Sequence, residues 1–455
     1  MSRLFGTDGV RGLAITELSC ELAMNIGRAT ATVLREKTGK RPLIQIAKDT
    51  RISSRVIESA LIAGITSVGA DVERLGVIPT PALAYLVKEL GAFDSSQSRA
   101  GIMISASHNT FEYNGIKIFS GNGYKLSDSE EDEIESLVKA NKFDIKSGKE
   151  IGTVRHAYSA ACDYNEYIIA CISKDKAPVL KGMKLLVDCA NGSASPTARA
   201  IFNALGAQCE YLNLTPDGIN INHNCGSTHI ENLCETMKQG DYDVGLAFDG
   251  DADRCLAVDD KGNVVDGDKI MALLARDMKK DGLLNNDTVV CTVMSNLGFH
   301  QYMKANGVKT ISAKVGDRYV LEEMLANDYS LGGEQSGHLI FSQHATTGDG
   351  QLTAVKLLRA VKNSGEKLSA LIAEIPKFPQ ILIGVEADVQ KKARWKSNEN
   401  VLASINKAEE ELGDEGRILV RESGTEPLIR IMAEGKDESQ IKRLVEEIAR
   451  QLTNS

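Results

Sequence analysis

The 455-residue chain has no run approaching the ~20 consecutive apolar residues of a membrane span, so nothing in it reads as a transmembrane helix. It has no basic excess. Its 53 Lys and Arg stand against 62 Asp and Glu, a net charge of −9, which excludes the broad cationic face that nucleic acid requires. It has no C-x-x-C pair, and its nine cysteines are odd in number and irregular in spacing, which excludes a disulfide framework. Cys189, Cys255 and Cys291 lie in apolar, strand-like runs where a free thiol acts as a small hydrophobe, so a reducing compartment is expected. The opening Met1-Ser-Arg-Leu-Phe-Gly lacks the apolar stretch of a secretion signal, and the expected location is cytoplasmic.

What is present is ordinary globular composition, 42% apolar and 25% charged, in a chain too long for one core. Single cores stop growing near ~250–300 residues, so several domains follow. An internal repeat divides them. Pro42-Leu-Ile-Gln-Ile-Ala reads as a buried strand, followed by a polar loop and a helix ending at Gly69-Ala70. The pattern returns from Lys184-Leu-Leu-Val-Asp-Cys to Gly206-Ala207, and again from Thr288-Val-Val-Cys-Thr-Val to Gly307-Val308. Each copy leads to a second strand ending in a polar, Gly-containing loop: Gly101-Ile-Met-Ile-Ser-Ala-Ser-His, Val244-Gly-Leu-Ala-Phe-Asp-Gly-Asp and Leu331-Gly-Gly-Glu-Gln-Ser-Gly-His. Ligands bind beyond the carboxyl ends of strands in open α/β sheets, so these loops are the place to look for chemistry. After Pro376 and Pro379 the pattern changes to alternating strands and one charged amphipathic helix, a small α+β domain. The expected architecture is three similar α/β domains with mixed sheets (1–155, 156–260 and 261–373) and a smaller C-terminal α+β domain (374–455), around a central cleft.

Asp249-Gly-Asp-Ala-Asp-Arg sets three carboxylates at alternate positions, with small spacers that let the backbone curl them toward one cation. Oxygen ligands suit Mg²⁺ rather than Zn²⁺. An EF-hand fits less well, since Arg254 and Asp260 stand where its loop needs Gly and a bidentate Glu. Three carboxylates leave Mg²⁺ short of six ligands, and a phosphoryl group is the usual partner of such a site. Ser107, beside His108 at a strand end, is the candidate acceptor and is expected to be exposed. Alone it also reads as a helix cap; the cation in Asn114-Gly-Ile-Lys117 turns the reading toward chemistry, with Ser105 as the alternative acceptor. Glu334, Gln335 and Ser336 offer groups suited to sugar hydroxyls, and Arg421-Glu-Ser-Gly-Thr-Glu-Pro-Leu-Ile-Arg430 reads as an anion cradle.

These four loops, in this order, resemble those of the α-D-phosphohexomutase superfamily. Leu4-Phe-Gly-Thr-Asp-Gly-Val-Arg-Gly12, Pro216-Asp-Gly-Ile-Asn-Ile-Asn, Cys225-Gly-Ser-Thr-His and Lys314-Val-Gly-Asp-Arg-Tyr-Val resemble its amino-sugar subgroup, so the likeness runs from residue 4 to residue 430. The resemblance implies a phosphoserine at Ser107, with one Mg²⁺ per chain held by Ser107, Asp249, Asp251 and Asp253. It implies that Arg11, His108 and Lys117 stabilise charge and move protons, and that Arg254, Glu334, Ser336 and His338 bind the sugar. Arg421, Ser423, Gly424, Thr425 and Arg430 would bind the phosphate that is not transferred. The implied reaction interconverts glucosamine 6-phosphate and glucosamine 1-phosphate through a hexosamine 1,6-bisphosphate, feeding UDP-N-acetylglucosamine synthesis. The partner is then a small phosphosugar, with no nucleic acid or membrane, and a homodimer is allowed. One departure stands out: Thr110 replaces the usual proline of the family, which is expected to loosen the serine loop. The alternatives are a phosphomannomutase or phosphoglucomutase of the same superfamily, an aspartyl phosphatase using Asp249 and Asp251, and a phosphosugar-binding protein without turnover.

Overall fold

The computed structural model of the chain describes residues 3–6, 8–93, 97–422 and 427–453. The chain forms two compact units, Met1–Val293 with Val308–Ala373, and Met294–Gly307 with Glu374–Ser455.

The repeat read in the sequence appears in the first unit as three sheets with one local pattern. Pro42–Lys48 lies between parallel neighbours Asp71–Val77 and Ser98–Ile104, and Ser98–Ile104 then pairs antiparallel with Tyr113–Ser120. Lys184–Asp188 lies likewise between Gln208–Leu212 and Val244–Phe248, with Cys255–Val258 antiparallel beyond. Thr288–Thr292 lies between Lys309–Ala313 and Leu331–Gly333, with Leu339–Phe341 beyond. The first sheet is extended by Val10–Leu13 at one edge and Val154–His156 at the other. Pro42–Lys48 and Val244–Phe248 are buried at every position, which is why they read as mostly apolar runs rather than alternating ones.

The glycines expected to close the three repeat helices, Gly69, Gly206 and Gly307, all have positive φ (80°, 84° and 66°). Each second strand runs into a short loop before its antiparallel partner, at residues 105–112, 249–254 and 334–338. Equivalent places in three sheets thus carry the serine loop, the carboxylate loop and the Glu334 loop. Sequence reasoning expected this.

The second unit is a three-stranded antiparallel sheet with Leu428–Gly435 between Gln380–Glu386 and Gly416–Glu422. Its apolar core includes Trp395, Ile429, Ile431, Leu444 and Ile448. The helix Leu297–Ala305 belongs to this unit. Its N-cap Asn296 exchanges hydrogen bonds with Phe378, Nδ2 donating to the carbonyl and Oδ1 accepting from the amide, both at 3.0 Å. The buried Glu434 carboxylate accepts from Arg417 Nε at 2.7 Å, Gln380 Nε2 at 2.8 Å and the Leu297 amide at 3.1 Å. Among the described residues, no helix is long and apolar enough to cross a membrane.

The first sheet depends on a tight helix pair, Cys20–Thr38 against Ile52–Ser67. A Cβ at Gly64 would lie 2.1 Å from the Met24 carbonyl oxygen, so the two backbones touch there. Gly64→Ala is expected to destabilise this unit by about 1–3 kcal/mol, read as an earlier first transition in urea. An unchanged transition would show that the helices can separate at no cost.

Candidate active site

Ser107 follows the strand Ser98–Ile104 and caps no helix, since the chain continues into the strand Tyr113–Ser120. It is not exposed as the sequence suggested: it is 1% accessible, because the carboxylate loop of the second sheet closes over it. Its hydroxyl donates to Asp249 Oδ2 at 2.7 Å, and His108 Nδ1 lies 3.5 Å from Oγ. Ser105 is no rival in position, for its hydroxyl turns back to accept the Ser107 amide at 3.0 Å. Ser107 has φ +51°, a left-handed conformation that a residue with a Cβ keeps only when its surroundings impose it. Burial, then the charges of Arg254 and Arg11, push His108 down to about 4, so its imidazole is neutral at neutral pH.

Asp249, Asp251 and Asp253 turn into one cluster, each offering an oxygen within 4.8 Å of the others. The curl comes from Ala252, at φ +56°, with its amide donating to the Asp249 carbonyl at 3.0 Å. Asp251 Oδ1 and Asp253 Oδ1 are buried and have no hydrogen-bond partner. Burial and the crowding of Asp253 and Asp251 raise Asp249 well above the usual carboxylate range. Buried anions that repel one another, with oxygens left unsatisfied, fit a hard divalent cation with oxygen ligands. The residues present suit a metal.

Lys117 is 1% accessible and pairs with the cluster. Its Nζ lies 2.8 Å from Asp251 Oδ2, 2.9 Å from Asp8 Oδ2 and 3.8 Å from Asp253 Oδ2. Burial opposes its charge, but Asp251 and Asp8 outweigh that and raise its pKa. Asp8 also pairs with Arg11 and, at 2.5 Å, with Lys125, whose Nζ is 2.5 Å from Asp317 Oδ2. His338 completes the circuit with Nδ1 3.5 Å from Asp253 Oδ2. Burial opposes a charge on His338, but Asp253 and Asp317 outweigh it and raise its pKa to about 9, while the Gly348 amide, donating to Nε2 at 3.0 Å, pulls the other way by favouring the Nδ1–H form.

Arg254 is flanked by Asp249, Asp253 and Glu334, and its amide donates to Asp249 Oδ1 at 3.2 Å. Glu334 Oε1 accepts from the Gly316 amide at 3.0 Å, and Ser336 Oγ is buried without a hydrogen-bond partner. In the second unit Arg421 and Arg430 face each other across the antiparallel pair. Burial and the Arg430 charge lower the Arg421 pKa, which is the strain an anion would relieve. Ser423, Gly424 and Thr425 lie outside the described residues.

The structure therefore gathers Arg11, Ser107, His108, Lys117, Asp249, Asp251, Asp253, Arg254 and His338 into one network of charge and hydrogen bonds. Sequence reasoning gave no role to Asp8, Lys125, Asp317 or Thr80. Thr80 donates Oγ1–H to Asp251 Oδ2 at 2.7 Å and its amide to the Asp251 carbonyl at 3.0 Å, fixing that carboxylate with Oδ1 unused. Asp8 and Asp317 do stand in quoted motifs, Leu4–Gly12 and Lys314–Val320, whose polar residues outnumbered the roles assigned.

Four family models match the chain in order. They are phosphoglucomutase/phosphomannomutase alpha/beta/alpha domain I at residues 2–144, domain II at 163–262, domain III at 266–378, and the C-terminal domain at 385–451. The phosphoglucosamine mutase of Acetivibrio thermocellus is 49% identical over 452 residues, 99% of this chain and 98% of that one. That of Thermoanaerobacter sp. strain X514 is 50% identical over 451 residues, with the same coverage. Among solved structures, a phosphoglucomutase/phosphomannomutase family protein from Burkholderia thailandensis superposes with a TM-score of 0.84 at 23% identity, covering 100% of this chain and 98% of that one. The Aspergillus fumigatus N-acetylphosphoglucosamine mutase, solved with GlcNAc-6P and magnesium, gives 0.69 at 17% identity, covering 99% and 95%. With four domain models matched in sequence and half its residues shared with curated relatives along their length, the chain belongs to the phosphoglucomutase/phosphomannomutase family and stands within it among the phosphoglucosamine mutases.

Proposed function

We propose that the chain interconverts glucosamine 6-phosphate and glucosamine 1-phosphate, carrying the phosphoryl group on Ser107 and passing through glucosamine 1,6-bisphosphate. The observation that carries this reading is the Ser107 hydroxyl set 2.7 Å from Asp249 in the three-carboxylate cluster. The identity of about half to phosphoglucosamine mutases supports the substrate over the hexose phosphates. An aspartyl phosphatase would leave Ser107, Arg11 and the Arg421 pair without work.

In the first half-reaction a sugar hydroxyl oxygen bonds to phosphorus as the phosphorus–Oγ bond of Ser107 breaks, and the hydroxyl proton ends on Oγ. In the second, Oγ bonds to the phosphorus of the other phosphate as its bond to the sugar oxygen breaks, and the Oγ proton ends on that sugar oxygen. His108, neutral and 3.5 Å from Oγ, can take that proton and return it. Arg11 and Lys117 spread the charge of the group in transfer. Asp249, Asp251 and Asp253 would hold one Mg²⁺, with an oxygen of the Ser107 phosphoryl group as a further ligand; bound there, it supplies charge neutralisation to the transferring group. Arg254, Glu334, Ser336 and His338 would bind the sugar, and Arg421, Ser423, Gly424, Thr425 and Arg430 the phosphate that stays. The division of labour is a phosphoserine domain at 1–155, a metal domain at 156–260, a sugar domain at 261–373 and a phosphate domain at 374–455. The nine cysteines are all free, which supports a reducing, cytoplasmic setting. A homodimer is compatible with this reading.

Ser107→Ala is expected to abolish conversion of glucosamine 1-phosphate while circular dichroism stays that of the parent, because no other group can hold the phosphoryl between half-reactions. Retained turnover would overturn the covalent route. Asp251→Asn should weaken metal binding by at least ~10-fold, read by calorimetry with Mg²⁺ and independently of turnover. An unchanged affinity would move the metal elsewhere.

A further inference from the structure

The serine loop is held by its main chain from outside. The carbonyl oxygens of Ser107 and Asn109 meet the same two side chains, neither of them in the loop. Asn222 Nδ2 donates to each carbonyl at 2.8 Å. Arg51 Nη2 donates to Asn109 O at 2.5 Å and to Ser107 O at 3.2 Å. Arg51 comes just after the strand Pro42–Lys48, and Asn222 from the stretch after Gln208–Leu212 in the second sheet; both are buried.

Both donors are themselves seated. Arg51 Nη1 donates to Asp49 Oδ2 at 2.6 Å and Nε to the Tyr113 carbonyl at 2.8 Å. The Asn222 amide donates to the Ala190 carbonyl at 3.0 Å, and its φ of +55° is one that Asn adopts readily. A Cβ at Gly250 would lie 2.6 Å from both Asn222 Nδ2 and the Ser107 carbonyl oxygen. The carboxylate loop therefore rests on the same pair of groups. These bonds tie both carbonyls of the loop to which Thr110 belongs.

We propose that Asn222 is a positioning residue for phosphoryl transfer, holding the Ser107 main chain in its left-handed turn so that Oγ stays aimed at Asp249. The proposal rests on Ser107 as the phosphoryl carrier. The Asn222 side chain donates to main-chain carbonyls of the loop and is uncharged, so its effect runs through the loop. Relaxation of Ser107 to negative φ relieves backbone strain but swings Cβ and Oγ away from Asp249. The phosphoryl group leaves and returns to this oxygen in every cycle, so misalignment is felt in both half-reactions.

Asn222→Gly removes both donors and keeps the left-handed backbone without steric cost. Asn222→Asp keeps the shape, tolerates the same φ, and puts an acceptor where the donors were. Each should lower kcat for glucosamine 1-phosphate by about 10- to 100-fold, since a displacement near 1 Å costs about that much. KM should stay at the parent's value. An unchanged kcat in either folded variant, with Ser107→Ala inactive, overturns the inference and leaves Ser107 in its role. A loss matched by an equal rise in KM overturns it as well, because a slack loop leaves ground-state binding intact. Turnover by Ser107→Ala would instead remove the reading on which the proposal stands.

Discussion

One buried ammonium sets the terms for the site. Lys117 is almost wholly out of water, and a charge so placed costs several kcal/mol unless it is paired. It is paired with Asp251, Asp8 and, more distantly, Asp253. The converse also holds: three crowded carboxylates need a cation beside them before they can be buried together. Remove the ammonium and Asp251 is left with Thr80, a neutral donor, against two like charges. The pairing is mutual, which is why residues near positions 8, 117 and 251 have to meet. From Asp8 the alternation continues through Lys125 to Asp317, so the same balance reaches the third sheet.

The repeat explains how a chain can afford such a cluster. Each of three sheets ends an equivalent strand in a loop of similar length, and a loop at a strand end can carry polar groups that a strand interior cannot. One copy gives a hydroxyl, one gives carboxylates, and one gives Glu334, Ser336 and His338. Within these loops the polar groups are ordered by main-chain contacts: the Asp249 and Asp251 carbonyls accept from Ala252 and Thr80, and the Gly348 amide donates to His338 Nε2. Side chains that do chemistry are thus aimed by backbones that do not.

Much of this was legible in the sequence, and the reasons differ from feature to feature. The strands Pro42–Lys48 and Val244–Phe248 were readable because burial on both faces leaves a mostly apolar run. The Asp249-Gly-Asp-Ala-Asp pattern was readable because its ligands are neighbours in the chain. The roles of Asp8, Lys125 and Asp317 were not, since the pairings that join them to one another and to Lys117 span more than a hundred residues and periodicity reports only local order. Thr80 gave no signal at all, being one threonine before a proline at a helix start. Nor did burial of Ser107 show, because what covers it comes from the second sheet. The Pro376–Pro379 segment reads as a break in the chain, yet Asn296 pins it to a helix that precedes it by some eighty residues.

The central claim is that Ser107 carries the phosphoryl group. Incubating the purified protein with Mg²⁺ and glucosamine 1,6-bisphosphate, then locating phosphate by intact-mass and fragment-mass spectrometry, tests it most directly. One phosphate per chain, on Ser107, is expected. Phosphate on Asp249 or Ser105, or none on a protein that turns over substrate, would contradict it.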